Sequence, residues 1–386
     1  MVAPKLRFKE FDGDWSRYKI AEVTEYLVDG THFSPKTTEG EFKYITSKNI
    51  RNDGLDLTNI SYISKDEHEK IYKRCKVQLG DILLTKDGAN TGNCCLNTLD
   101  EEFSLLSSVA VLRGKKDSFN NNFILQILQS DLGQDTIISS MSGQAITRIT
   151  LAKLKDYSFF FPELTEQTQI TSFLSAVDEK ISQLTQKHAL LRQYKQGMMQ
   201  KLFSQQLRFK ADDGSEFGEW KSVFLGDISK PQQWKTISSS ELTEIGYPVF
   251  GANGYIGFYP KYNHINETIA VTCRGATCGE VTLVKAKSYI TGNAMSIDEI
   301  NENEHSTLYI YYALCFRGFK DVISGSAQPQ IVGNAIRKVT FQITCLEEQT
   351  KIANFLSTID QKIEVVAQQI EQAKMWKKGL LQQMFV

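Results

Sequence analysis

The sequence has few of the residues that an active site of its own would need. Among 386 residues there are five histidines and seven prolines, no two prolines adjacent. The N-P-P-[FY] box with which amino-methyltransferases grip a flipped adenine is therefore missing. No G-x-x-x-x-G-K-[ST] occurs, which excludes a P-loop ATPase, and no Ser/His/Asp set stands out. Glu41 and Lys43 could be imagined in a nuclease, but a solvated strand edge is the plainer reading. The seven cysteines (Cys75, Cys94, Cys95, Cys273, Cys278, Cys315, Cys345) form no C-x-x-C and lie near no histidine cluster, which argues for reduced structural thiols and against a zinc site. No apolar run reaches 18 residues, and the opening "MVAPKLRFKEFDGDW" has charges where a signal peptide needs an apolar centre. The expectation is a cytoplasmic protein with no membrane partner. A formal net charge of −1 gives no global basic signature, so any nucleic-acid role must rest on local patches or on partner subunits.

What is present is a duplication. "TEQTQITSFLSAVDEKI" (Thr165 to Ile181) returns 182 positions later as "EEQTKIANFLSTIDQKI" (Glu347 to Ile363). The likeness extends to Tyr194 with Trp376, Gly197 with Gly379 and Phe203 with Phe385. In the first copy Ile170, Leu174, Val177, Ile181 and Leu184 are spaced alternately four and three residues apart; Ile352, Leu356, Ile359, Ile363 and Val366 repeat that spacing. This is a heptad seam, the mark of a long helix packed on another, and each helix would be about 60 Å long. An isolated seam of this length would stay wet, so the two helices are expected to lie antiparallel against each other. A second likeness links "LRFKEFDGDWSRYKIAEV" (Leu6 to Val23) to "LRFKADDGSEFGEWKSVFLGDI" (Leu207 to Ile228). The order is cap, variable block, helix, then the same again.

The variable blocks, about Trp15 to Pro162 and Trp220 to Thr344, both read as mixed α and β. "GDILLTKDGANTG" and "ETIAVTCRGATCG" each look like a buried strand entering a Gly-rich turn. "NNFILQILQS" and "STLYIYYALCF" look like equivalent short helices. The shared framework with differing side chains predicts two halves of one fold that present different surfaces. The expected class is α+β: two similar mixed α/β domains separated by a pair of long antiparallel coiled-coil helices, in a pseudo-two-fold internal repeat.

Taken together, the duplicated E-Q-x-x-I-x-x-F-L-S-x-x-D-x-K-I, the Gly-Gln turn before it, the "DGTH" of Asp29 to His32 and the circular two-copy layout resemble the specificity subunit of a type I restriction-modification system, over essentially the whole chain. The resemblance implies two target recognition domains, each reading one half of a split, asymmetric site in double-stranded DNA. It implies paired helices that act as a ruler and dock two modification subunits, and restriction subunits that join through the complex. S-adenosylmethionine, ATP and Mg would sit on those partners only, leaving this chain without cofactor, metal or catalytic residues. The expected division is 1–162 (first recognition domain with its cap), 163–206 (central helix), 207–344 (second recognition domain) and 345–386 (C-terminal helix).

Base discrimination needs Arg or Lys for guanine and Asn or Gln for adenine, supplied from loops. Candidates are Lys86, Asn90, Thr91, Gln144 and Arg148 in the first half, and Asn253, Tyr255, Arg274, Asn293, Gln328 and Gln330 in the second. The Gly-rich turns allow two readings, a backbone cradle for phosphate and a plain hairpin. His32 could close a loop over DNA, as the resemblance suggests, or sit in a turn stabilised by Asp29. A coiled-coil scaffold joining two protein-binding domains is the rival from another class.

Overall fold

The computed structural model describes residues 2–36, 39–141, 147–325 and 328–386. The chain divides into two compact units, Met1–Leu184 with Gln368–Val386, and Thr185–Ala367. Each contains one variable block, the first part of one long helix and the last part of the other. The helices run Leu164–Phe203 and Leu346–Met384. Neither has an internal proline, and Pro162 stands just ahead of the first, where its missing N–H costs nothing. Acidic residues occupy both first turns (Glu166; Glu347 and Glu348) and Lys201 the last turn of the first helix, each opposing the helix dipole.

In each unit the helix segments meet antiparallel. In the first unit Ile170, Leu174 and Val177 share a core with Leu380, Leu381 and Met384. Phe173 meets Trp376 edge-on at 6.1 Å, and Lys377 pairs with Asp178 at 2.6 Å. In the second, Ile352, Leu356 and Ile359 pack with Leu202 and Phe203, and Lys195 pairs with Asp360 at 2.6 Å. Leu184 and Val366 are buried, and Ile181 and Ile363 partly so.

The two variable blocks share one topology. In the first unit an antiparallel four-stranded sheet has the order Thr24–Asp29, Val109–Gly114, Ile82–Thr85, Cys94–Leu96; in the second the order is Lys230–Gln233, Ala294–Asp298, Thr268–Thr272, Val281–Val284. Each carries a three-stranded sheet whose middle strand (Phe42–Ile45; Tyr247–Gly251) has one antiparallel and one parallel neighbour. Each also has a two-stranded ribbon, Ser16–Lys19 with Ser158–Phe161 and Lys221–Phe224 with Thr340–Ile343. The near-continuous apolar run of "ILLT" follows from burial on both faces. Ile82 and Leu84 point into the core that includes the long-helix segments, and Leu83 into the one shared with Ile45 and Phe103. The first unit alone, among the described residues, inserts a hairpin (Ile50–Arg51 with Gly54–Leu55) and a helix (Lys65–Tyr72) before that strand. Lys43 lies in a middle strand, not at a sheet edge: it pairs with Tyr62 across the ladder, and its ammonium is 2.5 Å from Glu101.

The repeated Glu-Gln at each helix start explains why the cap is repeated with it. Glu166 is buried and takes a two-pronged grip from Arg7, both contacts at 2.7 Å, and a bond from the Trp15 indole N–H at 3.3 Å. Glu348 takes the same from Arg208, at 3.0 and 2.7 Å, and from Trp220 at 3.0 Å. The next residue, Gln167, accepts from the Asn120 N–H at 2.9 Å and donates to the carbonyls of Ser118 and Pro162 at 3.0 and 2.9 Å. Gln349 accepts from Ser306 N–H at 2.9 Å and donates to the Thr344 carbonyl at 2.6 Å and towards that of Glu304 at 3.4 Å. Glutamate thus fastens the cap, and glutamine fastens the start of the short helices Asn121–Gln129 and Thr307–Arg317.

Removing one partner of such a buried pair strands the other, at a cost of about 3 kcal/mol. Glu166→Ala is expected to lower urea stability by about that much, and Glu348→Ala by a comparable amount. Hydrogen exchange should localise each loss to the unit carrying the change. A loss below about 1 kcal/mol would show that the grip behaves as a surface ion pair.

Candidate nucleic-acid interface

The strands Ile82–Thr85 and Thr268–Thr272 each run into a turn of the same backbone plan. Gly92 N–H returns to the Thr85 carbonyl at 3.0 Å, and Gly279 N–H to that of Thr272 at 2.8 Å. Gly88 donates to the Thr147 carbonyl, and Gly275 to that of Pro329, both at 3.1 Å. Ile149 N–H donates to Lys86 O, and Ile331 N–H to Cys273 O, both at 3.0 Å. Gly88 and Gly275 hold φ of 96° and 83° with open space where a Cβ would go, so backbone conformation, not crowding, requires glycine. Isolated bridges join Asp87 to Arg148 and Arg274 to Gln330. Position 87 thus corresponds to 274, and 148 to 330.

On this common frame the side chains differ. In the first unit Lys86 is only 2% exposed, its ammonium 2.9 Å from the buried Asp29 carboxylate. It points inward, away from any ligand on the loop. Arg74 and His32 also approach Asp29, each at 3.4 Å, and the His32 side chain is 52% exposed. Strand register puts Gln233 at the place of Asp29 and Cys273 at that of Lys86. There the Gln233 amide donates to Cys273 Sγ at 3.0 Å and to the Gly292 carbonyl at 2.9 Å. Burial raises the Cys273 thiol, against the hydrogen bond from Gln233, so it stays neutral. A buried ion pair in one unit is matched by an uncharged pair in the other.

Asn90 is half-buried and its amide donates to the Ser47 carbonyl at 3.3 Å; the Thr91 hydroxyl donates to the Gly88 carbonyl at 2.6 Å. Arg148 is exposed, with Nε 3.3 Å from Asp87. Gln144 lies outside the described residues. In the second unit Arg274, Asn253, Gln328 and Gln330 are exposed. The Tyr255 hydroxyl accepts from Lys285 N–H at 3.0 Å, and its ring meets Phe250 edge-on. The Asn293 carbonyl accepts from Cys273 N–H at 3.2 Å. Thr277 donates to the Ala252 carbonyl at 2.6 Å, tying the Gly-rich turn to the hairpin that carries Asn253 and Tyr255. The frame therefore joins Lys86, Asn90, Thr91 and Arg148, with His32 linked through Asp29. In the other unit it joins Arg274 to Gln330 and ties in Asn293, Asn253 and Tyr255.

Asp87, Gln233 and Cys273 belong to these clusters and carry no short-range signal of it, and Asp29 is marked locally only through His32, three residues on. Their partners stand tens of residues away, as with the 57 separating Asp29 and Lys86.

Comparison with known proteins agrees with this construction. The family profile described as the type I restriction modification DNA specificity domain matches residues 12–193 and 218–375, one match for each half. The chain belongs to that family: it is a specificity subunit of a type I restriction-modification system. It is 24% identical to the type I restriction enzyme MjaVIII specificity subunit of Methanocaldococcus jannaschii, over 97% of this chain and 94% of that protein. It is 26% identical to the EcoprrI specificity subunit of Escherichia coli, over 50% and 48% of the two chains. The crystal structure of the S subunit from M. genitalium superposes with a TM-score of 0.66 at 19% identity, covering 100% of this chain and 99% of that one, which extends the likeness to the whole fold. Among the described residues no helix is long and apolar enough to cross a membrane.

The Asp29–Lys86 pair gives a direct test. Asp29→Gln strands the buried Lys86 ammonium and should cost on the order of 3 kcal/mol, whereas Lys86→Cys leaves Asp29 beside Arg74 and His32 and should cost less. The double change, which installs the second unit's pair, should cost clearly less than the sum. A urea denaturation cycle with additive losses would show that the two charges do not depend on each other.

Proposed function

We propose that this chain is the non-catalytic reading subunit of its complex, each unit reading one half of a bipartite, asymmetric site in double-stranded DNA. The observation that carries this is the loop frame built twice with the same backbone bonds and different side chains at matched positions: half-buried Asp87 with exposed Arg148 on one, exposed Arg274 and Gln330 on the other. A frame that is kept while its side chains change is what two readers of different base sequences require. Loop residues 87–92 and 274–279, with His32, Arg148, Asn253, Tyr255, Asn293, Gln328 and Gln330, form the DNA-facing set in this reading, and buried Lys86 serves it from beneath. Gln144 joins them as a sequence-based candidate.

The continuous helices of 40 and 39 residues set the spacer between half-sites and dock two adenine-N6 methyltransferase subunits, through which restriction subunits join. Restriction-modification acts on DNA in the cytoplasm. S-adenosylmethionine, ATP and Mg belong to the partners in this reading. No group of three or more His, Cys, Asp or Glu side chains among the described residues is disposed to hold a metal ion.

Methylome sequencing of a host expressing this chain with its modification partner tests the proposal. One extra helical turn in both long helices adds about 5.4 Å, so the gap should lengthen by about one to two base pairs with both half-sites unchanged. Altered half-sites with a fixed gap contradict the spacer role. A complex with no site preference and no steep salt dependence would make the chain a scaffold instead.

A further inference from the structure

The two loop frames differ most at the outer pair of residues. In the first unit position 87 is aspartate and position 148 is arginine, in contact at 3.3 Å. In the second unit the corresponding positions are Arg274 and Gln330, joined by the same kind of bridge. Next to them the buried Asp29–Lys86 ion pair is replaced by a neutral pair, exposed Gln233 on buried Cys273. The four first-unit groups sum to no charge, whereas the four second-unit groups leave one cation, on an exposed guanidinium. No carboxylate among the described residues lies within ion-pair distance of Arg274. The neighbouring Gln330 is occupied through its backbone, with N–H to the Ser324 carbonyl at 2.8 Å and its own carbonyl accepting from Ser324 N–H at 2.9 Å. That ladder fixes where the Gln330 side chain starts and leaves the Arg274 fork without an acidic partner.

A guanidinium fork matches the O6 and N7 acceptors of guanine in the major groove, the commonest specific contact between side chain and base. Asp87, a half-buried carboxylate 3.3 Å from Arg148, offers those same acceptors no donor. We propose that Arg274 is the specificity-determining residue for a guanine in the half-site read by the second unit, and that the first unit, with Asp87 at the corresponding place, reads no guanine there. This rests on the DNA-reading role proposed above and adds the base and the residue. It makes the two half-sites chemically unequal at one matched position, for a reason visible in a single exchanged pair.

The test uses the complex of this chain with its modification subunits and duplexes carrying its own methylated site. Each guanine is replaced in turn by 7-deazaguanine, which keeps Watson–Crick pairing and removes the N7 acceptor. The expected result is that a guanine in the half-site read by the second unit is sensitive in the wild-type complex. Arg274→Ala should weaken binding to the natural site roughly 10- to 100-fold and lose sensitivity to that replacement alone. The methylome of the variant should become degenerate at that one position. A wild-type complex insensitive at every guanine overturns the inference, independently of how the variant folds. So does a variant that keeps the full motif, or one that weakens binding evenly across sequences with a shallower salt dependence, the signature of a phosphate contact. If the wild-type complex shows no dependence on site sequence, the DNA-reading role fails first and this assignment falls with it.

Discussion

The buried carboxylate at the start of each long helix is the constraint on which the rest of each unit depends. Glu166 and Glu348 lie almost wholly out of water, where an ionised carboxylate is tolerable only with several hydrogen bonds. An arginine fork and an indole N–H supply them in both units. Because those donors come from the cap, the cap has one place it can dock. The adjacent glutamine then takes up the backbone groups at the entry to the short helix that packs on the sheet. Cap, long helix and short helix are thus set by two consecutive side chains, and the four-stranded sheet with its Gly-rich turn is built on them.

The parts of this architecture with a regular period could be read from the sequence. The heptads gave the helices and their antiparallel partnership, the offset of 182 positions gave the two-unit plan, and "ILLT" before a glycine gave the strand and turn. What escaped depends on partners distant in the chain. Lys86 looks like an exposed loop cation, because nothing within ten residues announces that Asp29 will lie beneath it. The Glu-Gln motif was recognisable as a repeat, but its purpose needed Arg7, Trp15 and Asn120 to be placed in space. The placement of Lys43 in a middle strand likewise depends on the pairing with Tyr62 on one side and Ser104 alongside Tyr44 on the other.

Structural and reading duties fall on different atoms. Main-chain bonds hold the turn in both units, and their donors and acceptors are the same at matched positions although few side chains are. The outward residues can therefore change without disturbing the frame, provided the pair beneath stays compatible: two charges together, or none. A lone charge in that place is the costly intermediate, so positions 29 and 86 are expected to be exchanged as a unit while 148 and 330 vary alone.

The junction between helix and cap occurs in two forms. In the second unit Leu207 N–H meets the Lys201 carbonyl at 3.1 Å across a short covalent turn, with Gln205 held at a φ of 59°. In the first unit Leu6 N–H meets the Gln383 carbonyl at 2.9 Å with no peptide link between them. Since the same docking is achieved both ways, the bonds through Ser204 to Gln206 act as a tether only. A proteolytic nick there would release a left-handed residue worth about 1 kcal/mol and leave the cap seated, so fragments cut at this point should remain associated without religation.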